Sequence, residues 1–139
     1  MNDNPAEVRP LIAISVCITC KQALPDGDGF AKPGEDLLAT LRAALTNRDS
    51  AIELRPVACM SVCKRPLTAS ISGEGRYTYV FGDLQADASA EALIDCAEKA
   101  LADPFGYVPW AERQRPLQTG IVARIPPPGW SPPDGKPPR

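Results

Sequence analysis

The chain has 139 residues, a formal net charge of −2, five cysteines and no histidine. That length holds one domain with a real hydrophobic core, and 44% hydrophobic with 23% charged residues is the ordinary balance of a globular protein in water. Without histidine there is no Ser-His-Asp or Cys-His nucleophile, no imidazole proton shuttle, no Rieske centre and no Cys2His2 zinc site.

The N-terminal MNDNPAEVRP is polar and lacks the apolar core of a secretory signal. No stretch approaches the roughly 20 apolar residues of a membrane span. These features predict a cytoplasmic protein with no membrane partner, in a compartment where stable disulfides are rare. Leu11 to Val16 is a strand, nearly all apolar and so buried on both faces. It delivers the chain to VCITC, which carries Cys17 and Cys20. A Gly/Pro/Asp-rich loop follows from Lys21 to Pro33. From Glu35 to Thr46, residues Leu37, Leu38, Leu41, Ala44 and Leu45 form the stripe of an amphipathic helix, and Pro33-Gly34 suits its start.

Ile52 to Ala58 is the second strand and leads into CMSVCKRP, with Cys59 and Cys63. Leu67 to Ser72 and Arg76 to Phe81 read as a hairpin closed around Gly73-Glu74-Gly75. Ala88 to Ala102 is a second helix, capped by Asp87, with Leu93, Ile94, Ala97 and Leu101 facing inward. Up to Trp110 the chain has 10 basic and 15 acidic side chains, net −5; from Ala111 it has 5 basic and 2 acidic, net +3. Half of the 16 prolines fall in those last 29 residues. The division is therefore a domain over residues 1–110 and a basic, proline-rich tail over 111–139. The end of the tail, IPPPGWSPPDGKPPR, suits extended polyproline II.

The order β-α-β-β-β-α predicts an α/β fold with a four-stranded mixed sheet and flanking helices, the minimal thioredoxin-like plan. If the first two strands are parallel neighbours, both cysteine loops leave the same edge of the sheet. The spacings of two and three residues then let each loop present two thiolates, and the four sulfurs converge on one site. A redox dithiol at Cys17 and Cys20 is the rival, but Cys20 enters a loop rather than a helix N-terminus, and the second pair would have no role. A zinc ribbon usually sets its two knuckles about 15–20 residues apart; here 38 residues separate Cys20 from Cys59. Zinc and iron–sulfur both stay open on spacing alone. Cys96, mid-helix beside Leu93 and Ala97, reads as packing.

The chain resembles the thioredoxin-like 2Fe–2S ferredoxins, and within them a branch of bacterial proteins labelled as predicted metal-binding proteins. The resemblance rests on VCITC, CMSVCKRP, YTYVFGDL, FGYVPW and ARIPP, and extends to about Pro126. It implies that Cys17, Cys20, Cys59 and Cys63 ligate a 2Fe–2S cluster, that the protein is a homodimer, and that it carries single electrons between redox partners, a reductase or an acceptor enzyme, without being an enzyme itself. The branch's gene context also implies a link to cobalamin handling. Many members space the first two cysteines more widely, so the tight pair here keeps zinc, in a metal-binding accessory or zinc-structured interaction protein, as the alternative. A thiol–disulfide oxidoreductase is third. The acidic domain and sparse aromatics predict no nucleic-acid partner.

Overall fold

A computed structural model describes residues 11–24, 26, 27, 29–46, 48 and 51–129. The polar residues 1–10, and the part of the polyproline II reading that falls on 130–139, lie outside these residues. The apolar run forms β1, Ile12–Cys17, and every one of its six residues is buried. After a short ladder between β2, Gln22–Ala23, and β3, Phe30–Ala31, the chain enters α1, Gly34–Leu45. The ladder lies inside the stretch expected to be plain loop.

β4, Ile52–Val57, pairs parallel with β1, and β5, Ala69–Ser72, pairs antiparallel on the other side. β6, Thr78–Phe81, continues the sheet by an antiparallel turn through Gly75 at φ 70°. Then come α2, Ala90–Ala102, a 3-10 turn at Trp110–Glu112, and α3, Arg115–Thr119. The two long helices pack on each other and on β1. Pro56 is tolerated in β4 because that strand is a sheet edge.

The sheet has five strands in the order β4-β1-β5-β6-β7, one more than the sequence predicts. The fifth, β7, is Ile121–Ile125, which pairs antiparallel with β6 from within the stretch read as tail. Pro116 and Pro126 flank this segment without interrupting its hydrogen bonds. The second helix also starts later than predicted. Its N-cap is Ser89, and Asp87 instead accepts a hydrogen bond from the Ala88 amide, outside the helix.

The core joins Leu37, Leu38 and Leu41 of α1 to Leu93, Ile94, Cys96 and Ala97 of α2 and to the apolar residues of β1, β5 and β6. Cys96 is fully buried, and burial pushes its thiol up to about 12. Alternate residues of β6 place Tyr79 and Phe81 on one face, their rings stacked at 6.2 Å. The buried Arg113 guanidinium lies 5.5 Å from the Tyr79 ring centre and donates to the carbonyls of Val108 and Leu117. The Tyr79 hydroxyl in turn accepts from the Val108 amide at 2.8 Å.

Tyr79→Phe strips that buried amide of its acceptor. It should cost about 1–3 kcal/mol of stability, seen as a lower urea midpoint with an unchanged denaturant slope.

Candidate metal centre

The parallel ladder between β1 and β4 sets Cys17 opposite Val57. Both strands therefore end together, and their cysteine loops leave the sheet at one edge. Two hydrogen bonds tie the loops: the Ile18 amide donates to the Val57 carbonyl at 2.9 Å, and the Thr19 hydroxyl donates to the Ala58 carbonyl. From the other side, the Cys17 amide donates to the Thr68 carbonyl at 3.0 Å. The start of α1 presses on the same turn. A Cβ on Gly34 would sit 2.1 Å from the Cys17 carbonyl oxygen, so only glycine fits.

Cys17 and Cys20 are buried, and Cys59 and Cys63 are exposed. The Cys17 and Cys20 thiols shift each other in opposite directions. Burial pushes the Cys17 thiol up, but the neighbouring Cys20, Thr19 and the Met60 amide together outweigh it, and Cys17 is held below the ordinary thiol range. Burial and the neighbouring Cys17 push Cys20 up, against a smaller opposing influence of Thr68. In the second loop the Ser61 amide donates to the Cys59 sulfur at 3.3 Å. Ser61 reaches this position with φ 62°, a left-handed conformation uncommon outside glycine that turns backbone amides toward one anionic point.

Among the described residues, no three Cys, Asp or Glu side chains stand close enough to share one metal ion. The structure brings Cys17 and Cys20 together and sets the loop of Cys59 and Cys63 against them. The donor set is still chemically apt: all four are thiols, and the Ser61 amide already donates to the Cys59 sulfur. A two-iron cluster takes two thiolates on each iron, so two adjacent pairs suit it better than they suit a single ion.

Several supporting residues take roles that only the fold reveals, Arg65 among them, whose place near Cys63 suggests charge compensation in the sequence. Arg65 follows Cys63 by two positions, and its guanidinium reaches Asp83 Oδ2 at 2.8 Å, the Ile121 carbonyl at 3.2 Å and the Thr119 carbonyl at 3.5 Å. It anchors the second loop to the start of β7. Lys64 is exposed beside it. Thr19 and Thr68 bring hydroxyls to the sulfurs of Cys17 and Cys20 at 3.7 and 3.8 Å.

Two outcomes follow from this geometry. In the metal-free chain, iodoacetamide should modify Cys17 before Cys20 at any pH below 9, because a lowered thiol pKa means more thiolate at a given pH; peptide mass mapping reads the order. Arg65→Ala should lower stability by about 1–2 kcal/mol and speed modification of Cys63, and Arg65→Lys should recover only part of it, since a single ammonium cannot replace the planar fork.

Comparison with known proteins adds the fold and the family. Two solved structures of a thioredoxin-like [2Fe-2S] ferredoxin from Aquifex aeolicus are similar to this chain. The first superposes with a TM-score of 0.52 at 13% identity, covering 87% of this chain and 98% of that one. The second, of the wild-type protein, gives 0.50 at 12% identity, with 81% and 97% covered. At such identities the likeness is one of fold, and the fold is thioredoxin-like α/β. No curated protein matches the sequence. The model of the family described as protein of unknown function (DUF1636) matches residues 14–127, and the chain belongs to that family.

Proposed function

We propose that the chain is an iron–sulfur protein in which Cys17, Cys20, Cys59 and Cys63 hold a 2Fe–2S cluster, and that it works as a one-electron carrier rather than an enzyme. The observation that carries this reading is the parallel β1–β4 ladder, which brings two cysteine pairs out at one edge of the sheet and ties their loops through the Ile18 amide and the Val57 carbonyl. It is supported by the fold shared with structures described as [2Fe-2S] ferredoxins. When bound, such a cluster accepts and releases single electrons. The chain's own part is to bind and to bias. Buried Cys17 and Cys20 keep water from one side, and amides of Thr19, Met60 and Ser61 stabilise negative charge on the sulfurs, favouring the reduced state. No carboxylate or amine is needed as a proton donor.

The exposed loop of Cys59 and Cys63 is where a reductase or acceptor protein would meet the cluster most closely. A homodimer in the cytosol belongs to the same proposal, and light scattering reads its mass directly. Among the described residues no helix is long and apolar enough to cross a membrane.

One observation favours a second reading. A lowered Cys17 beside a raised Cys20 is also the poise of a thiol–disulfide pair. The two readings divide on how the cysteines group. For an iron–sulfur protein, the anaerobically purified chain is brown, with iron and acid-labile sulfide in near-equal amounts. Serine at 17, 20, 59 or 63 then removes or alters the visible spectrum, while Cys96→Ala leaves it intact. A dithiol enzyme would instead need only Cys17 and Cys20, measured as disulfide reduction. Colourless protein with stoichiometric zinc would overturn the carrier reading in favour of a zinc-structured accessory protein.

A further inference from the structure

Thr68 lies just before β5, 48 positions from Cys20 in sequence, yet it touches both cysteines of the first pair. Its carbonyl accepts from the Cys17 amide at 3.0 Å, and its hydroxyl lies 3.8 Å from the Cys20 sulfur. The residue is fully buried, so no water competes for that hydroxyl. In the metal-free chain the Cys20 thiol is the donor, and the Thr68 hydroxyl passes its own proton to the Arg65 carbonyl at 3.5 Å.

A sulfur that ligates iron has lost its proton and can only accept. The hydroxyl must then turn toward it, and it is free to do so. The carbonyl it leaves already accepts the Asp83 amide at 2.9 Å, so the rotation strands no buried polar group. Nor does the turn require any movement of backbone, since a hydroxyl rotates about a single bond.

We propose that Thr68 is a positioning residue of the metal centre, its hydroxyl donating to the Cys20 thiolate and raising the reduction potential of whatever iron–sulfur group the cysteines hold. This rests on the iron–sulfur reading. Reduction adds negative charge that spreads onto the ligating sulfurs, and a buried donor stabilises the more charged state. The residue leading into β5 thus contributes to a site that the cysteines alone assign to two loops.

The test uses the full chain with its cluster, as wild type, Thr68→Val and Thr68→Ser, each measured for iron and sulfide content, visible spectrum and midpoint potential. Valine keeps the shape and removes the hydroxyl; serine keeps the hydroxyl. The expected result is a valine variant with full iron content and a potential shifted to more negative values, and a serine variant at the wild-type potential. A fully loaded valine variant with an unmoved potential overturns the proposal, as does a serine variant shifted as far as valine. Should valine prevent loading altogether, serine decides: a normal spectrum and potential support the hydroxyl's role, and loss in both variants overturns it. A colourless wild-type chain removes the iron–sulfur reading and this proposal together, whereas a brown wild type with an unmoved valine variant removes this one alone.

Discussion

The parallel pairing of β1 with β4 is the constraint on which the rest of the site depends. Its register, with Cys17 across from Val57, decides that two segments 38 residues apart end side by side. A parallel pair needs a crossover, and α1 supplies it while covering β1 with Leu37, Leu38 and Leu41. A slip of one residue in that ladder would turn every side chain of β4 to the opposite face and part the Ile18 amide from the Val57 carbonyl that ties the two loops. The hydrophobic pattern of the strands therefore sets the chemistry of the thiols indirectly, by setting the register.

Around that ladder the site is held by backbone far more than by side-chain charge. The Ser61 amide reaches the Cys59 sulfur, the Ile18 amide ties the two loops, the Thr68 carbonyl holds the Cys17 amide, and Gly34 lets a helix start rest on the same turn. Backbone groups cannot wander as long side chains do, so the loops keep their shape at little entropic cost. The charges nearby are arranged for structure. Arg65 is engaged by Asp83 and two carbonyls, leaving Lys64 as the exposed cation of that loop.

Much of this was legible in the sequence because it is locally encoded. The apolar run of β1, the Leu stripe of α1, the hairpin around Gly75 and the burial of Cys96 each announce themselves within a dozen residues. The edge strand β7 did not. Five residues between prolines carry too short an alternation to stand out from a proline-rich composition, and only the open edge of β6 makes them a strand. Asp87 matched the chemistry of a helix cap, but a turn before Ala90 moved the cap to Ser89. The hydroxyls of Thr19 and Thr68 were invisible for a different reason: their importance comes from neighbours 39 and 48 positions away, which only the folded sheet brings near.

The reach of Arg65 to Thr119 and Ile121 has a consequence for the order of assembly. Both cysteine pairs leave the ribosome well before the segment that steadies the second loop, by more than 50 residues in the case of Cys63. Until that segment emerges and adds itself to the sheet, Arg65 lacks two of its acceptors and the loop lacks its anchor. On the proposed iron–sulfur reading, loading of the thiolates is thus tied to completion of the fold from its C-terminal side, and a chain cut short before β7 would carry all four sulfurs without the Arg65 anchor of the second loop.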